Sequence, residues 1–261
     1  MPKIKIIFVD IDWTILNHKY RPGRFDYKSI KYLKKLQNKG VKVFICTARP
    51  YHSVKQINFF NLFKPDGMIL ANGALIISEG KIIYQSEMPV KDFEMICDLA
   101  KKHKVNLEGI RPYDCFLISE ADEAVHKLFA TYPELIPPTE DYHNQKVIGG
   151  CLFASKEFDA VFAPLFPANT HYFRYHDYGV DIGSEPHIKG VAIKYTLAKL
   201  GYKKEEAVAV GDDYADISMF QEVSYSVAMG NALEDVKKEA QYITKPVWKH
   251  GVKYILKRLT K

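Results

Sequence analysis

The chain has 261 residues, 47% of them hydrophobic and 26% charged, fractions that exclude a disordered, collagen-like or low-complexity protein. At ~100–200 residues per domain, the length allows one large domain or two moderate ones. The 37 basic and 31 acidic residues leave a net charge of +6, too little to point to nucleic acid or a membrane.

Ile4 to Val9 is a short apolar run rich in β-branched residues and reads as a buried strand. It is too short for a signal segment or a membrane span, and it runs into Asp10. Cys46, Cys97, Cys115 and Cys151 form no CxxC pair, the usage of reduced thiols. A soluble cytoplasmic protein is expected. Asp26 can cap a helix carrying Ile30, Leu33 and Leu36, stopped by Gly40. Val41 to Cys46 and Gly67 to Ala71 read as further buried strands. Ile76-Ile77 and Ile82-Ile83 flank Glu79-Gly80, a hairpin signature.

From about Met88 to Pro186 the texture changes to two helices and several alternating strands, among them Asp114 to Ile118, Val147 to Phe153 and Thr170 to Arg174. Beyond it the first pattern resumes. A helix carries Val191, Ile193, Leu197 and Leu200 up to Gly201, strands follow at Ala207 to Val210 and Ser224 to Ala228, and a last helix carries Val252, Ile255, Leu256 and Leu259. The expected fold class is α/β, a doubly wound parallel-sheet (Rossmann-like) core, residues 1–83 and 187–261, with an inserted α+β domain, residues 84–186.

The chemistry gathers at strand ends, where ligands bind in open parallel sheets. Asp10-Ile11-Asp12-Trp13-Thr14 follows the first strand, Thr47 the second, and Gly211-Asp212-Asp213 with Asp216 the strand at 207–210; Lys189 opens a helix. Closely spaced carboxylates repel unless a cation or a shared proton compensates. One such residue is usually a cap or a turn residue; four groups in this order are hard to ascribe to capping.

In these residues the chain resembles the haloacid dehalogenase superfamily, Cof-like branch. Asp10, Asp12 and Thr14 match DxDxT; Thr47 in Thr47-Ala48-Arg49, Lys189 in Lys189-Gly190, and Gly211, Asp212 and Asp216 in GDxxxD match the other three motifs. Asn72-Gly73-Ala74 and Met229-Gly230-Asn231-Ala232 resemble the same branch, and the insertion is similar to a class IIB cap. The resemblance implies a Mg²⁺-dependent phosphatase of small phosphorylated metabolites, sugar phosphates or nucleotide-like cofactors. Asp10 is then the nucleophile, forming an aspartyl-phosphate, and Asp12 the general acid and base. Thr47 and Lys189 bind the phosphoryl oxygens, with Arg49, Asn72 and Asn231 further phosphate- or substrate-binding candidates. Mg²⁺ is held by Asp10, Asp212 and the Asp12 backbone carbonyl, with Asp216 ordering that shell.

Three residues depart from the family pattern. Trp13 stands where the family usually has glycine or another small residue, and an indole there narrows the site or offers a stacking face. Asp213 and Ala215 occupy positions that are often Asn. In the insertion, Arg111, Tyr113, His171, Arg174, His176 and Tyr178 are candidates to grip the substrate, Arg174 foremost. His171 and His176 lack the company of a metal motif. The alternatives are a phosphomutase and a non-catalytic, phospho-ligand-binding regulatory protein on the same fold. No nucleic-acid or membrane partner is expected, and neither a P-loop nor a GxSxG elbow is present.

Overall fold

Runs of four or five mostly apolar residues form strands buried on both faces, as helices on either side of a parallel sheet require. Ile6–Val9, Lys42–Cys46, Gly67–Leu70, Ala207–Gly211 and Tyr225–Ala228 are such strands in a computed structural model that describes residues 4–19, 23–167, 170–184 and 187–260. Among the described residues they belong to an eight-stranded sheet in the order Tyr242–Ile243, Tyr225–Ala228, Ala207–Gly211, Ile6–Val9, Lys42–Cys46, Gly67–Leu70, Leu75–Ser78, Lys81–Gln85. The first six strands pair in parallel, and Leu75–Ser78 runs antiparallel to Gly67–Leu70. The hairpin turn Glu79-Gly80 takes left-handed φ values of 50° and 78°.

Register decides where the site lies. Val9 is level with both Ile45 and Val210, so the residues that follow the three central strands emerge side by side. The Asp10 N–H extends the ladder by one bond to the Val210 carbonyl at 3.0 Å.

Helices cover the sheet as the apolar spacing predicts. Tyr27–Gln37 buries Ile30, Leu33 and Leu36 and is capped by Asp26, which accepts the N–H groups of Lys28 and Ser29. Gly251–Leu259 packs on it and buries Val252, Ile255 and Leu256. Lys189–Leu200 ends on Gly201 at φ 74°. Its buried face is Ala192, Ile193, Thr196 and Leu197, whereas Val191, expected in that face, is 63% exposed. Two residues before Ile193, Val191 lies about 200° round the helix and faces away.

The chain divides into two units: Met1–Arg49, Asn58–Tyr84 and Ile188–Lys261 in one, Pro50–Ile57 and Gln85–His187 in the other. The second holds a five-stranded sheet in the order His171–His176, Gly179–Gly183, Gly149–Phe153, Asn106–Ile110, Cys115–Leu117, antiparallel throughout. Helix Val90–His103 gives Phe93, Ile96 and Ala100 to a core with Leu107, Phe116, Leu152, Val180 and Ile182 from that sheet. Among the described residues no helix is long and apolar enough to cross a membrane.

Lys189 depends on one close approach. A Cβ added at Gly190 would lie 2.2 Å from the Ser218 carbonyl oxygen of the neighbouring helix, a backbone atom with nowhere to go. Gly190→Ala should therefore cost about 1–3 kcal/mol, as overpacking does, read as a lowered midpoint in urea. An unchanged midpoint would show that the two helices separate freely.

Candidate active site

The three strand ends and two helix starts of the first unit deliver a carboxylate cluster around one ammonium. Lys189, 4% exposed, donates from Nζ to Asp10 Oδ1 and to Asp216 Oδ1, each at 2.8 Å. Asp216 sits in the first turn of helix Tyr214–Phe220, and its Oδ2 accepts the N–H groups of Asp212 at 2.8 Å and Asp213 at 3.1 Å. Its carboxylate is thus committed to shaping the loop that carries Asp212. Gly211 makes room for this, since a Cβ there would lie 2.3 Å from Asp216 Oδ2. Thr14 Oγ1 donates to Asp212 Oδ1 at 3.1 Å.

Oxygens of Asp10, Asp212 and Asp216 lie within 4.8 Å of one another. Burial pushes the Asp10 carboxyl up to about 8; Lys189 opposes the rise, and the Asp216 and Asp12 carboxylates add to it. Burial likewise pushes Asp212 up to about 9, reinforced by Asp10 and Asp216. Lys189 is held well above its ordinary value: burial works against its charge, and Asp10 and Asp216 prevail. One ammonium among three carboxylates leaves a deficit of positive charge, and the donors are oxygens, the ligands a hard divalent cation takes. The residues fit such an ion, with Asp10 and Asp212 to hold it and Asp216 to position them.

Asp12, expected among the metal residues, does not bring its side chain to this cluster. Its carboxylate accepts Arg49 Nε and Nη2, each at 2.8 Å, and lies 2.6 Å from His18 Nε2. Burial alone would raise the Asp12 carboxyl; Arg49 and His18 outweigh it and hold the group well below the usual carboxylate range. Any part Asp12 has in holding a cation falls to its backbone carbonyl.

The remaining expected residues divide. Thr47 lines the same cavity as Asp10, Asp12, Lys189 and Asp212, a space of about 500 Å³. Trp13 lines it too, at a left-handed φ of 55°. Asn231 donates to the Trp13 carbonyl at 2.9 Å and accepts the Val247 N–H at 2.8 Å, so it orders two loops. Arg49, expected on phosphate, has its guanidinium on Asp12. Asn72 supports the Thr47 loop from the backbone: its N–H donates to the Thr47 carbonyl at 3.2 Å, within a turn where Ala71 and Asn72 are left-handed. Arg174, expected to grip the substrate, is committed elsewhere. Its five N–H donors go to Asp159 and to the carbonyls of Ala154, Ser155, His176 and Asp177, an internal brace of the second unit with nothing left for a substrate. Arg111 is paired with Asp114 and Glu140, and the Tyr178 hydroxyl accepts from Lys127.

His18 and Trp248 had no signature in the sequence. His18 reaches Asp12 because the small hairpin Leu16–Asn17 with Arg24–Phe25 turns the chain back beside it. Trp248 lines the cavity because its loop is tied to Asn231.

A family model of haloacid dehalogenase-like hydrolases matches residues 7–256. The 5-amino-6-(5-phospho-D-ribitylamino)uracil phosphatase YcsE of Bacillus subtilis is 27% identical, the match covering 95% of this chain and 93% of that protein. Phosphoglycolate phosphatase 1 of Saccharolobus solfataricus is 26% identical over 99% and 96%. Among solved structures, the subclass IIB sugar phosphatase BT4131 superposes with a TM-score of 0.79 at 28% identity, covering 98% of each chain.

The raised carboxyls give the metal-free protein a signed pH dependence. Asp10 and Asp212 titrate at about 8 and 9 when folded, against 3.8 as the ordinary value, so above pH 4 the folded state holds protons that the unfolded state has lost. Stability therefore falls as pH rises through 7 to 9. The thermal midpoint in chelator should drop across that range, drop less in Asp212→Asn, and be raised more by Mg²⁺ at pH 9 than at pH 7. The same slope in both proteins, with an equal Mg²⁺ effect at both pH values, would contradict the cluster.

Proposed function

Since the chain belongs to the haloacid dehalogenase-like hydrolases and is a phosphoric monoester hydrolase, we propose that it releases phosphate from small phosphorylated metabolites by way of an aspartyl-phosphate on Asp10, with Mg²⁺ as the metal. The observation that carries this reading is the convergence of Asp10, Asp212 and Asp216 on Lys189 at the ends of parallel strands.

Lys189 fixes Asp10 Oδ1, which leaves Oδ2 to attack phosphorus. An ammonium has three donors, two of them used here, and the third is available to a phosphoryl oxygen. Thr47 adds a hydroxyl donor beside it. Mg²⁺, when bound, neutralises charge on the phosphoryl group, a preorganised stabilisation worth most in a buried site. The ester bond breaks as the Asp10–phosphorus bond forms, and Asp12 hands a proton to the departing alkoxide. It then takes one from the water that hydrolyses the aspartyl-phosphate. The clamp of Arg49 and His18 keeps Asp12 ionised in the resting site, the form needed for the second step. Substrate has to loosen that clamp before Asp12 can carry a proton for the first, which makes Arg49 a positioning residue.

The names of the relatives span a sugar phosphatase, a phosphoglycolate phosphatase and a phosphatase of a ribitylaminouracil phosphate. They support sugar phosphates or nucleotide-like cofactors as the substrate class. Residues 84–186 are proposed as the cap that sets specificity, and the four buried free thiols suit a cytoplasmic protein.

Asp10→Asn should reduce Mg²⁺-dependent phosphate release to background with the fold intact, and Asp12→Asn should slow it by about 10²–10⁴-fold. Phosphate release by Asp10→Asn at the wild-type rate would overturn the assignment. Binding of phosphate esters without release by the wild type would favour the regulatory protein, and isomerised phosphate esters a mutase.

A further inference from the structure

The chain has two tryptophans, and both line the cavity that holds Asp10 and Lys189. Trp13 is 39% exposed and Trp248 42%, large apolar surfaces to leave beside a charged cluster. Two bridges hold them on one wall. The Asn231 amide joins the Trp13 carbonyl to the N–H of Val247, the neighbour of Trp248. The adjacent residues His18 and Lys19 form the second: the His18 ring lies 5.4 Å from that of Trp13, and the Lys19 ammonium 5.5 Å from that of Trp248. Leu233, 53% exposed and two residues after Asn231, extends the wall.

Trp13 occupies its place against a backbone preference. At φ 55° a glycine is unstrained and a residue with a Cβ is not. Strain held beside a reacting centre points to a use for the side chain. The cavity, at about 500 Å³, is far larger than a phosphoryl group requires and within the range of sites for whole small molecules. A flat ring set against this wall would stack on an indole over its whole face, a contact of which a hydroxyl-rich leaving group makes less.

We propose that Trp13 and Trp248 form a stacking wall for the leaving group, and that the preferred substrates are phosphate monoesters carrying a planar aromatic or heteroaromatic ring. This rests on the phosphatase reading above and narrows its substrate class. Asn231 is the positioning residue of the wall.

The test compares kcat/KM for 4-nitrophenyl phosphate with that for glucose 6-phosphate, as a ratio within each protein. Taking the ratio in wild type and variant cancels the intrinsic reactivity of the two esters. Trp248→Ala should lower the ratio by about tenfold, mainly through KM for the aryl ester, and Trp248→Phe should restore most of it. In Asp10→Asn, which binds without turning over, adenosine 5′-monophosphate should quench tryptophan fluorescence saturably, and glucose 6-phosphate should not. An unchanged ratio in Trp248→Ala, or equal quenching by both ligands, overturns the stacking wall and leaves the phosphatase assignment standing. Turnover by Asp10→Asn would instead overturn the assignment beneath it.

Discussion

A buried ammonium, that of Lys189, lies 2.8 Å from Asp10 and 2.8 Å from Asp216, and the arrangement around it depends on that pairing. A lysine with 4% of its surface exposed is tolerable only with its charge matched, and the carboxylates beside it are tolerable only with theirs. The match is incomplete, because Asp212 brings a third carboxylate and, among the described residues, no second ammonium accompanies it. The site therefore stores an electrostatic demand. Burial, with the neighbouring carboxylates adding to it, pushes Asp10 and Asp212 up to about 8 and 9, so protons can meet the demand; a divalent cation is the other group that suits these oxygens. Asp12 adds to the rise at Asp10 but has partners of its own. Arg49 and His18 match its charge separately, so Asp10 and Asp12, two residues apart, have opposite electrostatic settings.

Left-handed backbone shapes two of the turns around the site. The turn after Ile6–Val9 passes through a left-handed Trp13, and the turn after Gly67–Leu70 through left-handed Ala71 and Asn72. Such conformations cost about 1–2 kcal/mol per residue with a Cβ. The first lets the Trp13 N–H donate to the Leu16 carbonyl and closes the turn that follows Asp12. The second sets the Asn72 N–H on the carbonyl of Thr47 and so holds the neighbouring strand end in place.

Much of this was legible in the sequence, for reasons that differ by element. The central strands were visible because a strand covered on both faces is apolar throughout, as Ile6–Val9 and Ala207–Gly211 are. Asp10, Lys189, Asp212 and Asp216 were visible because each occupies a set position after a strand or at a helix start, so spacing along the chain becomes proximity in space. His18, Trp248 and the bridging of Asn231 were not, because they meet the site through loops whose paths no local pattern records. Arg49 and Arg174 show a subtler limit. Both read as phosphate- or substrate-binding candidates, yet each is matched within its own unit, Arg49 by Asp12 and Arg174 by Asp159. The partner of a charge depends on long-range packing, and a sequence shows only the charge. Val191 failed for a simpler reason, an apolar residue on the far side of its helix from Ile193.

The central claim is that the carboxylate cluster exchanges protons for a metal ion, and counting those protons tests it most directly. Calorimetric titration of the metal-free protein with Mg²⁺ at pH 7, repeated in buffers of different ionisation enthalpy, gives the number released per ion. With Asp10 and Asp212 titrating at about 8 and 9, binding should release at least one proton, and Asp212→Asn should release fewer. Tight binding with no proton release would mean that the carboxylates are already ionised and balanced without the ion, and the electrostatic account of the site would fail.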